Sequence, residues 1–554
     1  MQTKPLSLIG KNWILPERIG EIDCIQRISE ERGIDTEKFG SWNDLVDPKT
    51  LGDIEKACER INHAISTRET VGIIGDYDAD GITGAVQLIR FFRRHGLEPV
   101  VILPHRIEHG YGIHPDFIDD LYSKGASLII TVDNGINAVE EIKRAKEMGI
   151  DTIVTDHHAP LTSFGCTAGH SPLVRCGELG CTASHFPIIV HPFAKTKHSN
   201  ENLCGSGVVF TLIRALENND WEERDIDVSL AAIGTVGDVM LLTGENRTIV
   251  QLGLEAMQNG SDDAVFDLVK SIKKESEEVV SSHIGYRIAP RINAAGRIAD
   301  PRLSLNALLE GGDYIPQMEL LNTQRQQMVA NAMQEVGLID TNHSIITLQS
   351  PSFHQGIVGL IAGRLSQKYS IPAIVGTLKS NMIICSLRSI PEYNVVEALE
   401  RCSEYLVNFG GHAEAAGCTV EKSNWIKFTD AIKNDADERL EKYDLVPSLE
   451  INAEISLEDL SLNFVKDLQK LEPFGNGNPE PKFLLRNQTI SGIRCVGQEN
   501  DHLQCFIGRI KVIGFGLGHL ASKIPSRCDV VCKLGIDNWN EESRVQIFLE
   551  DIAI

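Results

Sequence analysis

The sequence contains no hydrophobic run that approaches the roughly 18 residues needed to cross a lipid bilayer. Its first thirty residues also lack the long apolar stretch and the small-residue cleavage site of a secretion signal. The 13 cysteines are odd in number and are scattered over 554 residues, unlike the cysteines of a disulfide framework. These absences exclude a membrane-spanning or disulfide-stapled protein, and we expect a cytoplasmic protein with free thiols.

The chain also has fewer basic residues than acidic residues. The chain has 53 Lys and Arg residues against 77 Asp and Glu residues, a formal net charge of −24. An acidic chain disfavours nucleic acid as a partner overall, although a local basic channel can bind phosphates whatever the total charge. Internal repeats and low-complexity tracts are absent, and 42% hydrophobic and 23% charged residues are ordinary for a globular protein. At about 100 to 200 residues per domain, the length predicts three or four domains.

Short apolar runs alternate with amphipathic stretches between Val71 and about Leu242. The runs are VGIIG (71–75), PVVILP (99–104), SLIITV (127–132), DTIVT (151–155) and PIIV (187–190). This alternation is typical of parallel strands joined by crossover helices. The sequence therefore predicts an α/β fold with an open parallel sheet.

Three further regions follow the predicted sheet. Residues 253–327 favour helices, and a second small α/β unit begins near Ser344 with SIITL, a helix over Ile357–Tyr369, PAIVG and MIICSL. From about Val446 apolar and polar residues alternate in short pieces, which predicts a small β-barrel or sandwich after the charged segment 434–444. The predicted boundaries are 1–50 for an N-terminal extension, 51–255 for the parallel-sheet domain, 256–335 for a helical connector, 336–440 for the second α/β domain and 446–554 for the β-rich domain.

Acidic residues gather where the apolar runs end. If the segment after the first run were extended, its three aspartates would project to one side. Loops at the carboxyl ends of parallel strands share one edge of the sheet, so the clusters can converge there. Such close carboxylates repel one another unless cations lie between them. The side chains concerned are Asp76, Asp78, Asp80, Asp133, Asp156, His157, His158 and Asp238.

This combination of carboxylates and imidazole is a ligand set for Mn²⁺ or Mg²⁺. A single aspartate after a strand is usually only a turn or cap residue, and His157 alone can be an ordinary surface histidine. Turn or cap roles do not readily explain why four successive elements each place an acidic residue at the same edge of the sheet. With five or six acids available, we predict a pair of bridged ions.

Four of these segments resemble, in order and spacing, the motifs of the DHH phosphoesterase superfamily. They are GDYDADG (75–81), VDNG (132–135), TDHH (155–158) and GTVGDV (234–239). Later segments are similar to the bacterial RecJ family of single-strand-specific exonucleases, namely GYRIAPRINAAGRIADP (285–301), FHQGIVGLIAGRL (353–365), RSIPEYNVVEAL (388–399), FGGHAEAAG (409–417) and LEPFGNGNPEP (471–481). The resemblance implies a DHH domain, a DHHA1 domain in the second α/β unit and an OB fold in the β-rich tail.

The resemblance also implies a function. The expected activity is a metal-dependent exonuclease that removes nucleotides from the 5′ end of single-stranded DNA, in DNA repair and recombination. It further implies a monomer, with a single-strand-binding protein and a helicase as partners.

By the same resemblance, each residue of the acidic cluster receives a role. Asp133, Asp156, His157 and His158 would form the catalytic set, with His158 holding the phosphate or assisting proton transfer. The implied ligands are Asp76 and Asp78 at one ion, Asp80, His157 and Asp238 at the other, and Asp133 between the two.

Phosphate binding needs donors that lie apart from carboxylates. Between Val279 and Ala299 there are three arginines and no acid, a local reversal of charge in an acidic chain. Glycines before His412 would let the backbone approach a phosphate. Phe506 or Phe515 of the tail can stack on bases, although packing inside a barrel is the commoner role. The expected substrate-binding residues are Arg106, Arg287, Arg291, Arg297, His354, Arg388, Ser389, Gly411 and His412.

Several alternatives remain open. A DHH–DHHA1 phosphodiesterase acting on oligoribonucleotides or cyclic dinucleotides is one, but such relatives usually lack the third domain. A non-catalytic replication adapter is another, which the intact ligand set opposes. An insertion between residues 160 and 187 either binds structural Zn²⁺ or is a flexible loop, and its small and polar neighbours favour the loop. Its potential ligands are Cys166, His170, Cys176, Cys181 and His185.

Overall fold

The structure is a computed structural model. It describes residues 7–16, 24–110, 112–159, 187–192, 200–260, 263–274, 277–337, 339, 342–443, 445–537 and 543–554. The strands of these ranges form four sheets. None of the helices in them combines the length and the low polarity that a membrane crossing requires. The cysteines in them are free thiols, as predicted.

The N-terminal segment packs against the C-terminal end of the chain. Strand β1 (Asn12–Ile14) pairs in parallel with residues 448–450, and Nε1 of Trp13 donates to Asp551 at 2.8 Å. Helix α1 (Cys24–Arg32) buries Ile28 in the hydrophobic core of the C-terminal domain. The two ends of the chain therefore form one packed unit.

The five predicted apolar runs form an open parallel sheet. The strands are β2 (Thr70–Ile74), β3 (Val100–Ile102), β4 (Ala126–Val132), β5 (Asp151–Thr155) and β6 (Ile188–Val190). They lie in the order β3-β2-β4-β5-β6, and every neighbouring pair is parallel. Ile73 and Ile74 are fully buried in the cores on opposite faces, which is why the strands are continuous apolar runs. The helices of this domain are α2 (Ile54–Thr67), α3 (Ala79–Arg94), α4 (Pro115–Ser123), α5 (Val139–Glu147), α6 (Gly205–Leu216), α7 (Arg224–Gly237) and α8 (Gly244–Asn259).

A helical connector follows, as the sequence predicted. Its helices are α9 (Ala264–Ile272), α10 (Ser281–His283), α11 (Ala289–Ile298), α12 (Arg302–Leu309) and α13 (Tyr314–Val336). A π-helical turn over Ile284–Ile288 joins α10 to α11. Because α12 packs on α3 while α11 contacts residues 355–357, the connector links the parallel-sheet domain to the next unit.

The second α/β unit is built around a mixed sheet. Its elements are β7 (Ile346–Gln349), α14 (Val358–Tyr369), β8 (Ala373–Lys379), β9 (Met382–Arg388), α15 (Val395–Arg401), β10 (Leu406–His412), β11 (Ala415–Glu421) and α16 (Trp425–Leu440). The strand order is β10-β11-β9-β8-β7, and only β7 and β8 are parallel. Sequence analysis missed β10 and β11 because the segment FGGHAEAAG is rich in glycine and alanine, which strands disfavour. The charged segment 434–444 is mainly the last turns of α16.

The C-terminal domain is a closed β-barrel, which confirms the predicted OB fold. Its elements are β12 (Ser448–Glu450), β13 (Ala453–Glu454), α17 (Leu462–Gln469), β14 (Phe483–Val496), β15 (His502–Ile507), β16 (Ile510–Gly514), β17 (Arg527–Asp537) and β18 (Arg544–Ala553). The sheet order is β13-β14-β15-β16-β18-β17, and a further pairing of β14 with β17 closes it. This Greek-key closure of five main strands is the arrangement of an OB fold.

Two local expectations about the acidic clusters are wrong. Asp78 is the N-cap of α3, since its carboxylate accepts the N–H groups of Asp80 and Gly81 at 3.1 Å each. The segment after β2 therefore turns into a helix and does not run extended. Asp238 directly follows α7, so it reaches the sheet edge from a helix end and not from a strand.

Candidate metal centre and anion site

Acidic and imidazole side chains meet at the carboxyl edge of the parallel sheet. The loops after β2, β4 and β5 supply most of them, and the ends of α3 and α7 add the others. Their potential ligand atoms fall into three groups, and the atoms of each group lie within 4.8 Å of one another. The groups are Asp76, Asp78 and Asp133; Asp80, His157 and Asp238; and Asp133, His157 and His158. Because Asp133 and His157 each belong to two groups, the three form one continuous cluster, which we call the acidic cluster.

His157 lies at the centre of the acidic cluster. Its Nε2 is 3.1 Å from Oδ1 of Asp133, 3.5 Å from Oδ2 of Asp238 and 3.8 Å from Oδ2 of Asp80. This nitrogen is buried and makes no hydrogen bond of good geometry with the described residues. Burial lowers the pKa of His157, so its ring is neutral at physiological pH and offers a lone pair. A neutral imidazole that faces three carboxylates is arranged as a metal ligand.

The carboxylates of the acidic cluster repel one another. Burial, reinforced by neighbouring aspartates, raises the pKa of Asp76, Asp78 and Asp133 and raises that of Asp238 to about 8. Oδ1 of Asp76 is buried without a hydrogen-bond partner in the described ranges. A divalent cation would offset both the repulsion and the missing contacts, and carboxylate with imidazole suits Mn²⁺ or Mg²⁺. The residues present therefore fit such an ion.

The N-terminus of α6 holds Asp80. Its two carboxylate oxygens accept the N–H groups of Gly205 at 2.7 Å and Ser206 at 2.8 Å. A Cβ atom on Gly205 would lie 2.6 Å from Cβ of Asp133, and one on Gly234 would lie 2.5 Å from Oδ1 of Asp80. Sequence analysis missed these residues, although the glycines of GSG (205–207) and GTVG (234–237) signal a close approach of backbone.

Asp156 orients the histidines and is absent from the three ligand groups. Its Oδ1 accepts the N–H groups of His157 at 2.7 Å and His158 at 3.1 Å, and it lies 2.8 Å from Nδ1 of His158. Its Oδ2 accepts the N–H of Ile136 at 2.9 Å. Although burial opposes the charged form, the bond to Asp156 raises the pKa of His158 to about 9. His158 therefore carries a positive charge at neutral pH, in contrast to His157.

Two arginines without carboxylate partners among the described residues, Arg106 and Arg297, interact electrostatically with Asp76 and Asp78 of the acidic cluster, and three further arginines lie near them. They come from the loop after β3, from α11, α13 and α14, and from the end of β9. None of them forms an ion pair within the part of the chain that the structure describes. Burial and neighbouring guanidinium groups lower the pKa of Arg297, and burial and Arg106 lower that of Arg388. Since guanidinium stays protonated at neutral pH, this set carries the charge that binding an anion would need. We call it the arginine cluster, and its members are Arg106, Arg297, Arg325, Arg364 and Arg388.

The arginine cluster adjoins the acidic cluster through Tyr77. The guanidinium carbon of Arg106 lies 5.1 Å from the centre of the Tyr77 ring. Burial and the charge of Asp76 raise the pKa of Tyr77 to about 12. Arg325 and Arg364 were not predicted, because a helical repeat alone does not tell which other side chains an arginine lies near.

Two of the predicted phosphate donors are ion-paired. Nη2 of Arg287 lies 3.3 Å from Oε1 of Glu277. Arg291 donates to both carboxylate oxygens of Glu319, which brings α11 against α13. The structure therefore places these two arginines outside the arginine cluster, while the other three predicted arginines belong to it.

The remaining predicted contacts lie in the second α/β unit. Nδ1 of His354 accepts the N–H two residues later at 3.1 Å, and the Ser389 hydroxyl donates to the carbonyl of Tyr393 at 2.5 Å. Gly411 has φ +144°, and a Cβ there would lie 2.5 Å from a carbonyl oxygen of β11. His412 is exposed at the end of β10. Each of these residues thus lies at a loop or strand end, and the glycine is required by the close approach of two strands.

An aromatic pair with one exposed member lies on the barrel. Phe515 is 65% exposed and stacks on Phe548, with ring centres 6.2 Å apart and an interplanar angle of 17°. His502 meets Phe515 edge-on at 5.3 Å. The expectation that Phe515 packs inside the barrel is wrong, whereas Phe506 is half-buried.

The Cys/His insertion between Cys166 and His185 lies outside the described residues. Its zinc hypothesis stays a prediction. Among described residues, the His, Cys, Asp and Glu groups that could hold a metal all belong to the acidic cluster.

Comparison with protein families finds three successive matches. The DHH family N-terminal domain matches residues 70–237, the DHHA1 domain matches residues 342–441 and the RecJ OB domain matches residues 451–551. The chain is 31% identical to the single-stranded-DNA-specific exonuclease RecJ of Bacillus subtilis, over 98% of this chain and 69% of that protein. It is 28% identical to the RecJ of Salmonella typhimurium, over 95% of each chain.

Solved structures show the same likeness. A crystal structure of RecJ from Thermus thermophilus in complex with Mn²⁺ has a TM-score of 0.81 at 24% identity, over 98% of this chain and 80% of that chain. An exonuclease RecJ bound to manganese has a TM-score of 0.60 at 27% identity, over 71% of this chain and 98% of that chain. The fold of this chain is thus similar to these structures over most of its length.

Proposed function

We propose the function of this chain from an established premise: the chain belongs to the RecJ family of single-stranded-DNA-specific exonucleases. It is an exonuclease that hydrolyses the phosphodiester bonds of single-stranded DNA. We propose that it works from the 5′ end and acts in DNA repair and recombination. The observation that carries the proposal is the proximity of the acidic cluster to an arginine cluster without carboxylate partners among the described residues, through Tyr77 and through Arg297 near Asp78.

The acidic cluster would hold two divalent cations, Mn²⁺ or Mg²⁺. When bound, such ions lower the pKa of a water molecule and neutralise the charge that develops on the leaving oxygen. Asp133 belongs to two of the ligand groups, which supports a bridging role for it. The proposed ligands are Asp76 and Asp78 at one ion, Asp80, His157 and Asp238 at the other, and Asp133 at both.

His158 would hold the scissile phosphate. Its bond to Asp156 raises its pKa to about 9, so the ring is protonated at neutral pH and donates charge-assisted hydrogen bonds. A group with this pKa is a poor general base at neutral pH, so phosphate binding is favoured over proton abstraction. Asp156 would act by fixing the orientation and charge of His158.

The arginine cluster would bind the DNA backbone between the parallel-sheet domain and the second α/β unit. Its members come from the parallel-sheet domain, the connector and the second α/β unit, and each backbone phosphate can accept a bidentate guanidinium pair. We propose that Arg388 binds the terminal 5′-phosphate, with Ser389, His354, Gly411 and His412 at the rim. The two ion-paired arginines of α11 and its preceding turn would be outer contacts, since they must leave their glutamates to bind a phosphate.

A direct test is to incubate the purified protein and Mn²⁺ with end-labelled single-stranded DNA, duplex DNA and RNA. A 5′ label should appear at once in mononucleotides, a 3′ label should stay on a shortening strand, and blunt duplex should persist. Release of the 3′ label first would contradict the proposed direction. Faster cleavage of RNA than of DNA would favour an oligoribonucleotide phosphodiesterase.

Terminal-phosphate recognition has its own test in Arg388→Ala. The variant should bind 5′-phosphorylated strands more weakly by about 1 to 3 kcal/mol, the range for a charge-assisted contact, and should bind Mn²⁺ normally. Arg302→Ala, which removes an exposed arginine outside the cluster, is the matched control. An unchanged preference for 5′-phosphate over 5′-hydroxyl ends in Arg388→Ala would remove that residue from the pocket.

We propose further, from the family alone, that the protein works in the cytoplasm as a monomer beside a single-strand-binding protein and a helicase. Light scattering during gel filtration tests the oligomeric state against the chain mass of 61.1 kDa. A mass near twice this value would contradict a monomer.

A further inference from the structure

The turn that carries Asp238 has a conformation that usually requires glycine. After α7, the N–H of Val239 bonds to the carbonyl of Val236 at 3.2 Å, and the N–H of Met240 bonds to that of Thr235 at 3.0 Å. This pair of bonds is a Schellman motif, whose left-handed position is most often glycine. Here that position is Val239, with φ +57°. A β-branched residue is strained there, so the turn needs support from elsewhere.

That support comes from the C-terminal part of the chain. Nδ2 of Asn476 donates to the carbonyl of Val239 at 2.8 Å. The carbonyl of the same asparagine accepts the N–H of Leu242 at 2.8 Å. One residue thus bonds to both ends of the segment 239–242. A Cβ on Gly475 would lie 2.6 Å from Cδ1 of Leu242, so the two segments are in tight contact.

Asn476 is presented by a rigid loop, residues 473–478, which we call the bracing loop. Gly475 and Asn478 exchange two backbone hydrogen bonds of 2.9 and 3.1 Å. Nδ2 of Asn478 donates to two preceding carbonyls at 2.8 and 2.9 Å, and its Oδ1 accepts from Arg32 at 2.7 Å. Ser281 of the connector donates to the carbonyl of Phe474 at 2.6 Å. The loop is therefore tied to the connector, to α1 and to the barrel that follows it.

Asp238 depends on this brace more than the other carboxylates around His157 do. Its side chain is 33% exposed, whereas those of Asp80 and Asp133 are 1% and 4% exposed. Asp80 is additionally held by two N–H groups of α6. The position of Asp238 rests mainly on the backbone of the turn that Asn476 closes.

We propose that Asn476 is a positioning residue: it holds Val239 in the left-handed conformation and so places the Asp238 carboxylate for metal binding. The inference rests on the proposed metal role of Asp238. It makes the metal centre depend on the docked position of the bracing loop, and hence of the C-terminal barrel.

The test is a titration of the full chain with Mn²⁺ in the absence of DNA, in which electron paramagnetic resonance measures the concentration of the free ion. Asn476→Ala should weaken the binding of one of the two Mn²⁺ ions by about 3- to 10-fold, the factor for one lost hydrogen bond. Asn463→Ala, which removes an exposed asparagine from α17 of the same domain, is the matched control. Circular dichroism confirms that each variant is folded.

A second substitution separates positioning from a general structural role. Glycine adopts positive φ without steric cost, so adding Val239→Gly to Asn476→Ala should restore most of the lost Mn²⁺ affinity. If Asn476→Ala weakened Mn²⁺ binding only by destabilising the fold, it would lower the melting temperature, and Val239→Gly would not restore the Mn²⁺ affinity. If Asn476→Ala does not fold, Gly475→Ala displaces the same loop against Leu242 and should weaken Mn²⁺ binding in the same direction.

The possible outcomes separate the metal centre from the positioning role of Asn476. Wild-type protein that binds no Mn²⁺ overturns the proposed metal centre itself. Wild-type binding with equal binding by Asn476→Ala overturns only the positioning role. A loss that Val239→Gly does not recover also overturns it, because the effect would then not pass through that residue.

Discussion

At the scale of single residues, Asp133 belongs to two of the ligand groups and is strongly repelled by its neighbours. Burial and four neighbouring aspartates raise its pKa. Its φ of +59° is tolerated by Asp and Asn but is strained for alanine, so Asp133→Asn is the cleaner substitution. We expect this variant to lose Mn²⁺ binding and to keep less than about 1% of the exonuclease rate, a loss on the scale of other preorganised charge-stabilising groups.

The same variant should fold normally. Removing one charge from a like-charged cluster relieves repulsion, so the melting temperature without metal should be unchanged or higher. Asp133→Ala should show the same loss of activity with lower stability, because of the strained backbone. Activity above a few per cent of wild type in saturating Mn²⁺ would rule out a bridging role for Asp133.

Glu472, just before the bracing loop, should make stability depend on pH. Burial, with the charges of Glu480 and Glu278, raises its pKa from 4.5 to about 7. Between these values the folded chain keeps a proton that the unfolded chain releases, so the free energy of unfolding falls as pH rises. Above about pH 7 the carboxyl is ionised in both states, and the loss of folding stability has reached its full size. We expect Glu472→Gln to match wild type near pH 4.5 and to be more stable by about 1 to 2 kcal/mol at pH 8.

Urea unfolding of wild type and Glu472→Gln at several pH values measures this difference directly. Because every other titrating group is common to both proteins, the difference between the two curves isolates Glu472. Parallel curves from pH 4.5 to 8 would show that the carboxyl is solvated and titrates normally.

At the scale of elements, the connector and the second α/β unit touch most tightly where α11 ends. A Cβ on Gly356, just before α14, would lie 1.7 Å from the carbonyl oxygen of Arg297. The two backbones cannot keep this contact with any larger residue, so Gly356→Ala must displace α14 from α11. Since both helices supply the arginine cluster, single-stranded DNA should bind at least about tenfold more weakly, as for one lost charge-assisted contact.

Mn²⁺ affinity should not change in Gly356→Ala, because the acidic cluster lies in the other domain. Gly363→Ala is the matched control, since its Cβ would meet only Cγ of Arg388 at 3.8 Å. Inside α14, alanine is favoured over glycine by about 0.5 to 1 kcal/mol, so this variant should be as stable as wild type or more so. Equal DNA affinity in the two variants would show that the helix contact does not shape the cleft.

At the scale of the whole molecule, the barrel should add affinity for long strands without setting end recognition. Phe515 is exposed and stacked, and one base stacked on an aromatic ring contributes about 1 to 3 kcal/mol. We expect Phe515→Ala to weaken binding of long single strands by that amount and to leave the preference for 5′-phosphate unchanged. Tyr122→Ala, which removes an exposed aromatic residue from α4, is the control.

Deletion of residues 446–554 is a coarser form of the same experiment. It should weaken binding of all long strands and make it less sensitive to salt, because phosphate contacts are lost. It also removes the partner strand of β1 and the bracing loop, so metal binding should fall as well. Phe515→Ala is therefore the sharper test, and a changed 5′-phosphate preference in that variant would show that the barrel takes part in end recognition.

Much of the architecture was predictable because its signals are local. Each strand of β2 to β6 is an apolar run of a few residues, and each barrel strand alternates apolar and polar residues. These patterns arise because a strand is buried on both faces or on one face. The edge strand β10 was missed, since its glycines serve a close strand approach and carry no apolar pattern. The direction from which Asp238 enters was also missed, because an aspartate after an apolar segment follows a helix as readily as a strand.

By itself the sequence determined which carboxylates could gather at one edge of the sheet, and carboxylates so close repel one another unless a cation lies between them. Only the tertiary structure decided which arginines have no carboxylate partner among the described residues: Arg325 lies near Arg364, while Arg287 and Arg291 pair with glutamates. It alone brought Asn476 to the turn beside Asp238. The reason is physical, since the periodicity of a segment reports which of its faces is buried, but not which distant segment covers that face.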